Sequence, residues 1–365
     1  MPRLPRPRQG DPLPAAVRGF PCFYGRRPLP RIITGDPWAY LTHASERHLT
    51  AAQYSKARAF IEQAHDFYTA AANPRQPSRP LLYYYAFLNL AKVLLLHKGL
   101  DLPPQVHHGV SDPRANQRQR PRPEGQVVAR RDRARNHSEL FPELVHALSD
   151  GRGPQLPDEF RVLDLMGQVP AIHRTYCMVT TETPLFCPVR SIDLLVAKCP
   201  SGDRCVWARL RLNRHDADVR KCIKTASQDR YAHVTSGQPS EQWLQSDACA
   251  YKGRGLAQAS ALGRLARELR RCGVSTLLTL DGYRLYLNLR ASEACLPQFC
   301  SAYAIMFYLG SITRYKPYDF TTIVGHYSWL VNDFLDTQPQ QMLYLLASYL
   351  AETEVVVPHA KLVGV

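Results

Sequence analysis

Apolar positions recur with helical spacing in two blocks of the chain and alternate in the stretch between them. Ala57, Phe60, Ile61, Ala64, Phe67, Tyr68 and Ala71 fall at i, i+3, i+4 and i+7, which predicts an amphipathic helix. Thr50 is placed to cap that helix, and Asn73-Pro74 to end it. Pro80 then opens a second helix, LLYYYAFLNLAKVLLLHKG, stopped by Gly99. It is apolar nearly all round, the pattern of a helix at the centre of a bundle. Its only polar interior positions, Asn89 and Lys92, stand three residues apart on one face. A short helix over 138–149 closes this block.

Near residue 160 the period changes from helical to alternating. In Cys205–Leu212, Val206, Ala208, Leu210 and Leu212 face one way, with Trp207, Arg209 and Arg211 opposite. Leu285, Leu287 and Leu289 alternate likewise with Arg284, Tyr286, Asn288 and Arg290. Tyr176–Thr180, Ile192–Ala197 and Ser275–Leu280 are further strand candidates, and Ala257–Arg271 is an amphipathic helix with Leu262, Leu265, Ala266 and Leu269 inward. Helical patterning returns from Leu296 onward. The expected organisation is an irregular Pro/Arg-rich arm (1–37), an N-terminal helical block (38–159) with a polar excursion (111–136), a mixed α/β insert (160–290), and a C-terminal helical block (291–365) packed on the first.

Charge sharpens this outline. The 365 residues carry 46 Lys+Arg against 31 Asp+Glu, a net +15. Residues 1–31 hold seven Arg and one acid, net +6, and residues 114–135 hold eight Arg and two acids, again net +6. The remainder is close to neutral, so the chain reads as a near-neutral body with two basic appendages. Only nine of the basic residues are Lys. A GC-rich genome yields that ratio too, so the position of the Arg clusters says more than their identity.

The N-terminal residues lack the continuous apolar stretch of a secretory signal, and the apolar run Leu81–Leu96 is too short and interrupted for a membrane span. The expectation is a cytoplasmic protein that does not enter a membrane. Ten cysteines without a CxxC pair then read as buried free thiols, with no metal or cofactor expected. The sequence contains no GxxxxGK[ST], HExxH or GxSxG, which argues against familiar ATPases, zinc proteases and esterases.

Three stretches resemble the YaaC-like family of bacterial proteins: Gln63–Ala72 (QAHDFYTAAA), Arg79–Lys92 (RPLLYYYAFLNLAK) and Leu309–Tyr318 (LGSITRYKPY), with His107-His108-Gly109 fitting the same pattern. That family is largely without an assigned activity, so the resemblance implies a fold and no reaction. A more distant similarity is to HEPN domains, helical bundles found in toxin and antiviral ribonucleases. The fold class this implies is α+β: a mainly helical, HEPN-like bundle of N- and C-terminal blocks carrying an inserted mixed α/β unit. HEPN ribonucleases place an Arg four to six residues before a His. Arg131-x5-His137 has that spacing but lies in the basic excursion, and Arg58-x6-His65 lies in the wrong helix.

Metal-independent RNA cleavage needs a base for the 2′-hydroxyl and a cation for the charge developing on phosphate; His and Arg suit these roles. The candidates are His107 and His108 beside the apolar helix, Lys92 and Asn89 within it, and Arg314 at a C-terminal helix end. Each also has a structural reading: Asn89 and Lys92 as bundle polar groups, His107-His108 as a turn shaped by Gly109, Arg314 as a helix-end cap. In the excursion, Arg118, Arg120, Arg122, Arg130, Arg131, Arg133 and Arg135 suit phosphate contacts. They lack interleaved aromatics for base stacking. The expected partner is nucleic acid, RNA before DNA, or else an acidic protein. The two functional classes are a nucleic-acid-linked effector, with RNase activity in stress or antiviral defence, and a non-catalytic adaptor that binds a partner or forms a homodimer through the bundle.

Overall fold

The computed structural model describes residues 9–13, 31–72, 78–103, 106–112, 126–128, 138–149, 159–182, 186–199, 202–213, 231–234, 241–280, 282–289 and 296–358. The chain forms two compact units, each assembled from separated segments. A helical unit takes 34–183 and 296–350, and a sheet unit takes 1–33, 184–295 and 351–365.

The helices in chain order are α1 (Pro37–His48), α2 (Ala51–Ala71), α3 (Arg79–His97), α4 (Leu140–Ser149), α5 (Val162–Met166), α6 (His173–Thr180), α7 (Leu256–Arg271), α8 (Gln298–Tyr315), α9 (Phe320–Val324) and α10 (Ser328–Ala351). Thr50 caps α2 in a reciprocal capping box with Gln53. Gly99, at φ +81°, lies just beyond the end of α3. At the centre α3 packs against α2 and α8, and both α3 and α8 are buried nearly all round. Their backbones meet at Gly310, where a Cβ would sit 3.1 Å from the Tyr84 Cβ. Among the described residues no helix is long and apolar enough to cross a membrane.

Pro339 lies inside α10 and has no N–H to give the Leu335 carbonyl one turn back. Arg79 supplies the missing donor: its guanidinium bonds the Leu335 oxygen at 3.0 Å and pairs with Asp336 at 2.7 Å. One cation from the start of α3 thus repairs a helix broken by proline.

A short parallel pairing of Val106–His107 with Ser138–Glu139 leads from the end of α3 towards α4. Gly109 follows at φ +71°, where an added Cβ would lie 2.7 Å from the Phe141 backbone nitrogen. That nitrogen, in the first turn of α4, donates to the His108 carbonyl at 3.3 Å. Only glycine fits both the left-handed backbone and the contact.

The sheet unit is built on an eight-stranded sheet, antiparallel at every pairing. Its strands are β1 (Asp11–Pro12), β2 (Phe186–Lys198), β3 (Arg204–Asn213), β4 (Ala232–Val234), β5 (Glu241–Gln245), β6 (Cys249–Tyr251), β7 (Val274–Thr279) and β8 (Gly282–Asn288). The order is β7-β8-β2-β3-β5-β4, with β1 on β2 and β6 on β3. Val206, Ala208, Leu210 and Leu212 point into one core with Leu262, Leu265 and Leu269 of α7. A smaller core on Leu195, Cys205 and Trp207 includes Gly10 pressed on the indole, where a Cβ would lie 2.4 Å from the ring.

Two expectations are corrected. The protein is not a mainly helical, HEPN-like bundle, because the large antiparallel sheet has its own core and forms a unit of its own. That unit also draws in both chain ends: Ile32–Ile33 pairs in parallel with Val355–Val356, and Arg31 pairs with Glu354 at 2.7 Å. Those backbone groups find their partners there, beyond the end of α10 at Ala351. Tyr176–Thr180 is helix rather than strand; the Thr180 hydroxyl bonds the Tyr176 carbonyl one turn back, a local partner that a β-prone composition does not reveal. Trp207 lies opposite the Val206 face, as the alternation predicts, in a second buried core.

Two stability outcomes follow from these contacts. Arg79→Met should cost about 1–3 kcal/mol by stranding the Leu335 carbonyl, and that cost should shrink in a Pro339→Ala background, where the helix regains its own donor; a double-mutant cycle by urea unfolding reads the coupling. Gly109→Ala should cost at least about 1–2 kcal/mol from the left-handed backbone alone, measured the same way.

Candidate functional site

The site lies in the helical unit, where α3 runs beside α2 and near the C-terminal turn of α8. Tyr85, Asn89 and Lys92 share one face of α3 at i, i+4 and i+7. Each meets a residue of α2: Tyr85 stacks on Phe67 with centroids 5.3 Å apart, Asn89 donates from Nδ2 to Gln63 Oε1 at 3.2 Å, and the Lys92 ammonium lies 4.8 Å from the centre of the Phe60 ring. Lys92 Nζ also donates to Asn89 Oδ1 at 3.5 Å. Asn89 is buried and accounted for at both ends of its amide, so it orients Lys92 rather than facing a ligand.

Arg314, in the last turn of α8, is exposed and donates to the Tyr85 hydroxyl at 3.3 Å while its guanidinium covers the Tyr315 ring at 5.1 Å. The α3 stripe therefore ends on a cation at each side, Lys92 and Arg314. Among the described residues neither has a carboxylate partner.

His108 closes the group. Its Nδ1 shares a 2.5 Å hydrogen bond with the Tyr84 hydroxyl, and its ring lies against Phe307 with centroids 6.0 Å apart. Burial, and a bond to Tyr303 among other neighbours, push the Tyr84 hydroxyl far above its ordinary value, so it stays protonated. The Tyr303 hydroxyl is also pushed up by burial, and it donates to the His108 carbonyl at 3.4 Å. Placing the proton on Nδ1 lets His108 donate to the Tyr84 hydroxyl while Tyr303 donates to the His108 carbonyl. It leaves the Nε2 lone pair as the ring's acceptor, with no partner among the described residues.

Burial lowers the His108 pKa first, and the positive fields of Lys92, Arg314 and His107 lower it further. Every charge acting on the ring is therefore cationic, and at neutral pH the imidazole is uncharged. Burial alone lowers Lys92. His107 is exposed on its short strand, in register with Glu139. A half-buried, neutral imidazole in the field of these cations can accept a proton, and the exposed Arg314 can hold an anion.

All five expected residues, Asn89, Lys92, His107, His108 and Arg314, belong to this one unit, and four of them are linked through the tyrosines or through one another's fields. The sequence reading overlooked Tyr84, Tyr85 and Tyr303, whose hydroxyls do the linking. The available signal was a run of tyrosines in an otherwise apolar helix, since a buried hydroxyl needs a partner. Arg118, Arg120, Arg122, Arg130, Arg131, Arg133, Arg135 and His137 lie outside the described residues. Among the described residues no three His, Cys, Asp or Glu side chains converge as a metal site, and the seven described cysteines are free thiols.

No curated protein and no solved structure matches the chain, and a relation to HEPN domains is not shown. The model of the YaaC-like proteins matches residues 26–350, a span that takes in every side chain of the His108 cluster, and the chain belongs to that family.

Proposed function

We propose that this YaaC-like protein is a nucleic-acid-associated effector whose phosphate-recognition centre is the Lys92–His108–Arg314 cluster, acting on RNA without a metal. The observation that carries the reading is that Lys92, Arg314 and His107 all act on one neutral imidazole bonded to Tyr84, while among the described residues neither Lys92 nor Arg314 has a carboxylate partner. Such a site is electrostatically unsatisfied until an anion arrives. Arg314 and Lys92 then bind the phosphodiester oxygens, and His108 Nε2 takes the proton of the attacking 2′-hydroxyl. The leaving 5′-oxygen needs a proton in turn, and His107 at the exposed rim is the group that supplies it. The basic sequence 114–135 adds sequence-independent attraction to the backbone.

The test uses the full chain with a labelled single-stranded RNA. Arg314→Ala and Lys92→Met are each expected to weaken binding about ten-fold and to flatten the salt dependence of log K by about one phosphate contact. His108→Ala should abolish cleavage and leave binding at neutral pH nearly unchanged. Because the ring's pKa is lowered, activity should persist as pH falls through the ordinary imidazole value and decline only below it. Intact RNA, together with unchanged affinity in the Arg314 and Lys92 variants, would overturn the proposal.

A further inference from the structure

Beyond the phosphate centre, the chain displays a pair of aromatic rings with faces open to solvent. Tyr318 is 99% exposed and Tyr315 58% exposed. Both follow directly on Arg314, in the run Arg314-Tyr315-Lys316-Pro317-Tyr318. The run leaves the end of α8, and a turn in which the Asp319 nitrogen bonds the Lys316 carbonyl at 3.1 Å carries the chain into α9. Tyr318 gains nothing from packing where it stands. A large ring held fully in water is the residue type a folding argument would not place there.

What distinguishes this pair from scattered surface apolar residues is its attachment to the charge. Arg314 covers one face of Tyr315 at 5.1 Å and at the same time reaches Tyr85 of the α3 stripe at 3.3 Å. Arg314 therefore links the phosphate cluster to the aromatic run with one side chain. Alternation of cations with exposed rings is the pattern of single-strand recognition, where guanidinium and ammonium groups follow the phosphates and the rings stack on successive bases. A duplex keeps its base faces covered and has nothing to offer Tyr318. Neighbouring Asp319 disfavours a polyanion laid flat on the turn, but not a base inserted face-on.

We infer that Tyr315 and Tyr318 form a base-stacking platform beside Arg314, so that the substrate class of the site is single-stranded RNA with unpaired bases next to the phosphate held by Arg314 and Lys92. This rests on the phosphate reading given above, and it assigns the recognition of bases to two rings, of which Tyr315 also supports Arg314 and Tyr318 stands apart from the phosphate chemistry.

The experiment measures anisotropy of the full chain with three probes of equal length: single-stranded RNA, an abasic strand with the same backbone, and duplex RNA. The single strand is expected to bind about a hundred-fold more tightly than the abasic strand, about ten-fold for each of the two rings. Tyr318→Ala should remove about ten-fold from single-strand affinity, some 1.4 kcal/mol, without altering the abasic probe, whereas Tyr315→Ala, which also frees the Arg314 guanidinium, should weaken both probes and the single strand more. Tyr318→Phe should restore binding, since stacking needs the ring and not the hydroxyl. If Arg314→Ala weakens all probes while the tyrosine variants change none, the platform is wrong and the phosphate centre stands. If neither class of variant has an effect, both readings fail. If Tyr318→Ala instead changes the oligomeric state at constant RNA affinity, the rings serve a second copy of the chain and the inference is overturned.

Discussion

The close approach of α3 and α8 at Gly310 is the contact on which the helical unit depends. Two helices that are apolar on every side can only be satisfied by surrounding each other with further helices, and here they begin by touching at the one residue of α8 that lacks a side chain. That approach brings Tyr303 and Phe307 of α8 against Tyr84 of α3, with ring centroids 6.0 and 5.4 Å apart. Tyrosines so deeply placed must bond something. Tyr84 finds the His108 ring and Tyr303 finds the carbonyl of the same residue. The orientation of the imidazole is thus a by-product of core packing. The burial that depresses its pKa comes from the same rings.

The cationic residues owe their arrangement to a different economy. Lys92 keeps its stem against Phe60 and its head towards Asn89, so its charge is partly withdrawn from water but not neutralised. Arg314 is exposed, yet it is held at one end by a phenol and along its flat face by another. Neither residue is tied by an acid among the described residues. Membership of the YaaC-like family covers both units, and the helical unit alone carries the cluster; the role of the sheet is a separate question of chemistry, with its tightly packed core at β3 and α7.

Local period made much of this legible in the sequence. The capping box at Thr50, the Gly99 stop, the inward face of α7 and the alternation of β3 all depend on neighbours within a few residues, and each is where the pattern puts it. The turn glycine Gly109 belongs with them. Non-local partners were not legible. Nothing in the surroundings of Trp207 announces that Gly10, some two hundred residues earlier, lies across it. Tyr176 and Val179 have β-prone side chains, and the short helix they adopt is decided by packing rather than propensity. At the site, the residue types were readable and their joints were not: Arg314 and Tyr85 are 229 positions apart. The Arg131-x5-His137 spacing and the Arg-dense excursion fall outside the described residues.

The interleaving of the two units along the chain has a consequence for synthesis. The polypeptide enters the sheet unit, leaves it after residue 33, returns at 184, leaves again after 295 and returns once more at 351. Helical residues 34–183 therefore emerge from the ribosome long before α8, the partner that covers α3. The apolar helix must wait, sheltered or exposed, for more than a hundred residues of sheet to be made. The parallel strand of Val355–Val356 comes later still, and Ile32–Ile33 has no mate until then. The helical unit accordingly cannot complete its core until α8 has been made, and α3 keeps apolar surface uncovered while the chain is incomplete.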